Sequence, residues 1–325
     1  MSNPSLSRSI EGFLLNVSAA GRSPYTIRNY RTELGRFLKF VGDKEVNKIQ
    51  SSEMENYLLY LKNDFLICKV ATTPIPPRKL SQKTLSNAHG ILAGFWKWAA
   101  KEFLLPNPFK VPPIKAYIKP ISPLRENEIA LLIGACGQTT KHSRKMNLYS
   151  SARSTAKRDK AIILTLLDSG MRVSEMCGIL IKDYDQENGR LLITGKGSKT
   201  RFVYLGRSSR QALWSYLLER YPSQKPNKDD PLFAEMYGMY PLTRNGILQL
   251  LKRLGTRAGV EGVHPHRFRH TFAVEFLRNG GNIFELQQLL GHADLDMVKR
   301  YVQLAELDLE NSAKRASPVD HWRLR

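Results

Sequence analysis

The stretch LPNPFKVPPIKAYIKPISPLREN, residues 105–127, carries five prolines between positions 106 and 120. Proline fixes φ, lacks an N–H donor and pushes the residue before it out of the helical region. Neither a helix nor an inner strand can run through such a segment. The chain around it must therefore fold as two bodies. The division predicts a helical domain over 1–106, an extended linker over 107–122 and a larger C-terminal domain over 123–325, sizes ordinary for separate cores.

The first part has helical periodicity. In SPYTIRNYRTELGRFLKFVG, Ser23 offers a cap and Pro24 suits the first helical position. Ile27, Tyr30, Leu34, Phe37, Leu38 and Val41 then recur at helical spacing, with Arg28, Arg31, Arg36 and Lys39 largely between them. SSEMENYLLYLKND and SQKTLSNAHGILAGFWKWAAKEFLL predict further helices, joined by the proline-rich basic loop KVATTPIPPRKLSQK. Trp96 is expected in the core and Trp98 at its rim. Arg28, Arg31 and Lys83 are candidates for contact with an anionic partner, against the plain alternative of a solvated face.

The nature of that partner follows from charge. The chain has 50 Lys and Arg against 29 Asp and Glu, a formal charge of +21. An excess of that size favours a polyanion, either nucleic acid or an acidic membrane surface. No apolar run approaches the roughly 20 residues that span a bilayer, and MSNPSLSRSIEGFLL lacks a signal-peptide pattern. Nucleic acid is the expected partner, and no membrane is. Cys68, Cys136 and Cys177 stand apart without Cys-x-x-Cys spacing, as expected of thiols in a reducing cytoplasm.

In the second part, LRENEIALLIGAC predicts a helix. GQTTKHSRKMNLYSSARSTAKR, with six Lys and Arg and no Asp or Glu, predicts a flexible basic loop. DKAIILTLLDSG and MRVSEMCGIL predict helices joined at Asp168-Ser169-Gly170. GRLLITGKGSKTRFVYLG alternates like a hairpin, with Leu192 and Thr194 before its glycine-rich turn and Phe202 and Tyr204 after it.

HPHRFRHTF, residues 264–272, then places three histidines and two arginines around Phe268. A solvated basic loop is one reading, but Phe268 and Phe272 sit four apart and predict a helix from near His266 with a buried face. A metal site would need carboxylate or thiolate company that this stretch lacks. An anion site remains: guanidiniums fork onto phosphate oxygens, and imidazoles hold or move protons.

Four further stations accompany it: Arg172 in SGMRVSE, Lys196 in TGKGSKTRFVYL, His292 in LLGH and Tyr301 in KRYVQ. Each alone has an ordinary structural reading, as a surface arginine, a hairpin lysine or a core tyrosine. In this chain order, with His266 and Arg269, they resemble the Arg, Lys, His-x-x-Arg, His/Trp and Tyr set of the tyrosine recombinase (phage integrase) family. The whole chain resembles the two-domain, Xer-like form of that family. The motif match runs from about Leu124 to Tyr301, while the N-terminal domain matches by its layout of helices.

The resemblance implies a mainly α fold with a small β-hairpin or sheet in the catalytic domain. A helical core-binding domain and an integrase-type catalytic domain would form a DNA clamp. It further implies that Arg172 and Arg269 clamp the non-bridging oxygens of a phosphodiester. Tyr301 is then the nucleophile, His266 its base, Lys196 the acid for the leaving 5′ oxygen and His292 a hydrogen-bond donor to the phosphate. Glu175 would orient a neighbour. Arg153, Lys199, Arg201, Arg267 and His270 are DNA-contact candidates, the last two with helix support as the alternative.

A covalent 3′-phosphotyrosine stores the bond energy, so neither metal, ATP nor any other cofactor is expected. The implied partner is double-stranded DNA with an inverted-repeat core site, bound by a dimer and brought to synapsis by a tetramer at the nucleoid. Basic inserts at 69–79 and 137–158 favour integration and excision of a mobile element. Xer-type chromosome-dimer resolution, type IB topoisomerase-like relaxation and a silent DNA-binding protein are the alternatives. A metal nuclease would need clustered carboxylates, whereas Asp294 and Asp296 suit the start of a helix. In the tail, Leu307, Leu309 and Ala313 give a thin apolar stripe, either a local helix or, as in relatives, one docked on a neighbouring protomer.

Overall fold

A computed structural model describes residues 3–67, 76–114, 122–137, 142–144, 147–149, 153–195, 199–235, 240–291, 296–305 and 317–322. Serine side chains start three of the four α-helices described in the first part. Ser5, Ser23 and Ser81 accept the backbone N–H groups of Arg8, Thr26 and Thr84 at the heads of α1 (Leu6–Ala19), α2 (Pro24–Val41) and α4 (Gln82–Glu102). Each cap satisfies a donor that a helix leaves open. Between them, α3 (Ser51–Asn63) begins where the Glu53 carboxylate accepts the Gln50 N–H at 3.1 Å.

These helices bury Leu6, Phe13, Leu34, Phe37, Tyr57, Leu92, Phe95 and Trp96 in one core, with Trp98 half-buried against it. Glu33 is enclosed there. Its carboxylate accepts the Tyr57 hydroxyl at 2.7 Å and an Arg36 guanidinium N–H at 2.5 Å, which leaves no orphaned charge. The proline-rich loop is closed by a two-stranded pair, β1 (Leu66–Ile67) and β2 (Arg78–Lys79). Cys68 lies outside the described residues.

By its contacts the chain divides into two compact units, Met1–Pro120 and Ile121–Arg325. The opening of the expected linker is not free. Phe109, Val111 and Ile114 pack on the first core, and His89 Nε2 pairs with the Val111 carbonyl at 2.9 Å. An extended segment with apolar residues at short intervals finds a surface to cover even though proline denies it a helix.

In the second unit, α5 (Glu126–Gly137), α6 (Ala156–Ser169), α8 (Arg207–Arg220), α9 (Arg244–Ala258) and α10 (Pro265–Arg278) enclose the larger core. A three-stranded antiparallel sheet joins them, in the order β5 (Tyr184–Asp185), β6 (Arg190–Thr194) and β7 (Thr200–Tyr204). Leu191, Ile193 and Val203 face inward, while Leu192, Phe202 and Tyr204 face outward.

Two local expectations are corrected. The basic segment after α5 is not a plain loop, because β3 (His142–Arg144) pairs with β4 (Asn147–Tyr149) and α6 begins inside it at Ala156. Backbone pairing satisfies polar groups that an open loop leaves to water. MRVSEMCGIL forms only the single turn α7 (Val173–Met176), since the chain then turns at Gly178 into extended backbone.

A smaller cluster made by α10, α11 (Ile283–Leu290) and α12 (Asp296–Ala305) buries Ala273, Val274, Leu277, Leu286, Leu290, Val298 and Tyr301. The tail stripe of Leu307, Leu309 and Ala313 lies outside the described residues, as does Asp294. No helix among the described residues is long and apolar enough to cross a membrane.

Candidate active site

The site is built around α10. His264 caps the helix, its Nδ1 accepting the Arg267 amide at 3.3 Å, and Pro265 takes the first helical position. From there the helical period sorts the side chains. Phe268 is fully buried in the larger core, and Phe272 packs on the smaller cluster. His266, Arg269 and His270, at i, i+3 and i+4, share a face.

Arg269 is almost wholly buried and bridges two motifs. Its Nη1 donates to the Gly170 carbonyl and its Nη2 to the Leu290 carbonyl, both at 2.7 Å. Gly170 ends α6 with φ of 57°, and Leu290 ends α11, so the guanidinium takes up carbonyls that helix ends leave unpaired. Burial, followed by the Arg172 charge, draws the Arg269 pKa down to about 10, so the group is cationic at neutral pH.

Arg172 precedes α7. Its Nη1 donates to Glu175 Oε1 at 2.9 Å and its backbone N–H to Oε2 at 2.7 Å, while its side chain is 37% exposed. Glu175, which the sequence singled out, thus holds Arg172, and Arg201 is a second partner of the same carboxylate. Arg201 Nη1 and Nη2 donate to Glu175 Oε1 and Oε2 at 3.1 and 2.9 Å. Burial raises the Glu175 carboxyl, but hydrogen bonds from Arg201 and Arg172 outweigh it and hold the group below its usual range.

His266 reaches the surface of the site. Burial first, then the charges of His264, Arg269, Arg244 and Arg172, lower its proton affinity, so it is neutral at neutral pH. An imidazole in that state accepts a proton. Tyr301 is 5% exposed on α12, its ring centroid 5.3 Å from that of His270. His270 is pushed down to about 4 by burial, then by His266, His264 and Arg269, and its Nδ1 has no hydrogen-bond partner among the described residues.

The structure thus brings Arg172, Glu175, His266, Arg269, His270 and Tyr301 into one region. Lys196 and His292 lie outside the described residues. Lys199 is exposed where β7 begins, and Arg28 and Lys83 are exposed on the first unit; Arg31 is exposed and paired with Glu11 at 2.9 Å.

Three candidates for DNA contact face inward instead. Arg153 pairs with the fully buried Asp159 at 2.7 Å, Arg201 with Glu175, and Arg267 with Glu128 at 2.9 Å. Their forks are spent on internal carboxylates and carbonyls. His270 packs its ring on that of Tyr301. Arg244, exposed at the head of α9, was not singled out by the sequence, because it stands alone in LTRN with no cluster around it.

This helical fold, with two arginines and a buried tyrosine grouped about a histidine-bearing helix, defines a tyrosine site-specific recombinase. Residues 124–307 match the phage integrase family and residues 10–103 its N-terminal SAM-like domain; the chain belongs to the phage integrase family. It is 31% identical over 302 residues to tyrosine recombinase XerC of Staphylococcus epidermidis, covering 91% of this chain and 92% of that one. Among solved structures, the integrase of transposon Tn1549 with a circular-intermediate DNA aligns with a TM-score of 0.69 at 19% identity, covering 100% of both chains. XerH recombinase bound to palindromic difH aligns at 0.64 and 22% identity, covering 93% of this chain and 82% of that one. At those identities the structural likeness speaks to the fold.

Proposed function

We propose that the protein recombines double-stranded DNA at an inverted-repeat core site, integrating or excising a mobile element in the cytoplasm. Residues 1–106 form a DNA-binding domain and residues 123–325 the catalytic domain. A dimer occupies one site and a tetramer forms the synapse. The observation that carries the reading is the charge cluster itself. Two arginines, one buried and one partly open, stand with the histidine-bearing face of α10, whose His270 ring packs on the buried ring of Tyr301.

In this reading the Tyr301 oxygen attacks phosphorus and the 5′ oxygen leaves, forming a 3′-phosphotyrosine. His266 takes the phenolic proton and Lys196 supplies one to the leaving oxygen. Arg172 and Arg269 stabilise the charge that builds on the equatorial oxygens, and His292 adds a hydrogen bond. The bond energy is conserved, so the 5′ hydroxyl of another strand can reverse the step without ATP.

The test is trapping. The full chain is incubated in chelator with a nicked duplex carrying an inverted-repeat site selected from randomised DNA by the Tyr301→Phe protein. A denaturation-resistant adduct is expected with the wild type and none with Tyr301→Phe, which should keep its DNA affinity. An adduct that survives Tyr301→Phe refutes the assignment. Xer-type dimer resolution is the second reading, favoured by the full-length similarity to recombinases named XerC. Recombination confined to directly repeated chromosomal sites would support it over integration.

A further inference from the structure

Arg201 occupies a position no DNA-contacting arginine needs. Its side chain is only 15% exposed, and three of its N–H groups are committed. Nη1 and Nη2 fork onto the Glu175 carboxylate, and Nε donates to the Leu289 carbonyl at 2.8 Å. Leu289 lies in the last turn of α11, two residues before Gly291 and three before His292.

The guanidinium also packs flat against the backbone there. A Cβ on Gly291, whose φ is 63°, would stand 2.9 Å from Arg201 Nη1 and 3.0 Å from its Cζ. At the hairpin end, a Cβ on Gly195 would stand 3.4 Å from Glu175 Oε1 and 3.5 Å from Arg201 Nη1. Gly195 immediately precedes Lys196, and its N–H donates to the Lys199 carbonyl at 2.8 Å. The Arg201–Glu175 pair therefore touches the backbone beside three separate stations. It holds Arg172 directly, it lies under the residue before Lys196, and it grips the helix end that leads into His292.

We infer that Arg201 is a positioning residue that locks Arg172, the hairpin end at Gly195 and the end of α11 at Leu289 and Gly291 into one arrangement. This rests on the recombinase reading of the site. The physical basis is the planar fork. A guanidinium satisfies a carboxylate with two parallel bonds while a third N–H reaches the Leu289 carbonyl at another angle. A lysine ammonium carries the same charge on one nitrogen and cannot span all three acceptors. Charge alone would serve a phosphate contact equally well, so Arg201→Lys separates the two roles.

The experiment measures single-turnover adduct formation at saturating nicked duplex, with affinity and its salt dependence on the same duplex by anisotropy. Arg201→Lys is expected to slow the covalent step on the order of 10- to 100-fold, the scale on which misplacement of reacting groups acts. The dissociation constant and salt slope should stay within about twofold of wild type, as expected of a group that neutralises no phosphate. A lysine variant that reacts at the wild-type rate overturns the inference. So does a loss confined to affinity with a shallower salt slope.

Histidine ¹³Cε1 spectra of the DNA-free protein give a second readout that needs no reaction. The His292 resonance, assigned with His292→Gln, should move in Arg201→Lys, and an unmoved resonance overturns the inference. If Arg201→Lys does not fold, Glu175→Gln keeps the shape of the acceptor while removing its charge, and the same slowing and resonance shift are expected of it. Absence of any wild-type adduct refutes the recombinase reading instead, and the spectra still decide the positioning.

Discussion

At Gly170 one residue meets two demands. Its φ of 57° is the left-handed geometry that ends α6, and a Cβ there would fall 2.2 Å from the Phe272 ring. Its carbonyl also anchors Arg269. Gly170→Ala adds a left-handed penalty of about 1–2 kcal/mol to an overpacking cost of about 1–3 kcal/mol. A loss of about 2–5 kcal/mol in urea unfolding is expected, with slower adduct formation because the relief moves the carbonyl that Arg269 holds. The nearby His270 supplies a pH signature. The groups facing it are His266, His264, Arg269 and Tyr301, and its folded pKa is lowered to about 4 against about 6.5 unfolded. Between those values the unfolded chain binds more protons, so this stability is full above about 6.5 and declines as pH falls toward 4. His266 is lowered too and acts in the same sense. Unfolding free energies at neutral pH and near pH 5 should converge in His270→Gln relative to wild type; an unchanged pH slope refutes the assignment.

Elements decide which of the basic residues are available to a partner. Arg153 and Arg158 both pair with Asp159, which is fully buried at the start of α6, and Arg153 also caps the Cys136 carbonyl at 3.3 Å. This triad fastens the end of the basic segment to α5 and α6. Asp159→Asn leaves two guanidiniums around a neutral amide, and a cost of about 3–5 kcal/mol is expected, as for other broken buried pairs. Thermal unfolding and faster proteolysis within 137–158 would register it. The same scale shows what the sequence revealed and what it hid. Helices α2 and α4 were legible because a serine cap and a helical apolar stripe agree. The hairpin was legible by its alternation, and that alternation contained more. Arg201 shares strand parity with Val203 and lies opposite Ile193, so the period of two already turned it inward. Its chemistry argued for phosphate and its register for burial, and the side chain is largely enclosed against Glu175. What stayed hidden depends on tertiary partners. Glu128 for Arg267 and Asp159 for Arg153 are ordinary helix-start carboxylates until the fold brings the arginines to them, and the packing of Phe109 and Val111 has no local period to announce it.

For the whole molecule the formal charge of +21 overstates the cations free to meet DNA. Arg153, Arg158, Arg201 and Arg267 are paired inside the fold, whereas Arg28, Lys83 and Lys199 are exposed. Affinity for a duplex rests on counterion release, with a slope of log K against log salt of about −0.9 for each phosphate neutralised. A protein making about six to ten such contacts loses roughly 10³- to 10⁵-fold in affinity between about 50 and 200 mM salt. A decline of that order is expected here by anisotropy in potassium chloride. Arg28→Gln and Lys83→Gln should each flatten the slope by about 0.9, and Arg267→Gln should leave it unchanged. An altered slope in Arg267→Gln alone would mean that the internal pairing opens on DNA. The covalent step answers to a different set of charges. Arg269 is buried and Glu175 enclosed, and mobile ions screen buried groups far less than surface ones. Once the duplex is saturating, the rate of adduct formation should therefore be nearly flat across the salt range that weakens binding. On the proposed reading, exposed cations such as Arg28 and Lys83 set the affinity and the enclosed Arg269 and Glu175 set the rate, so salt should separate the two.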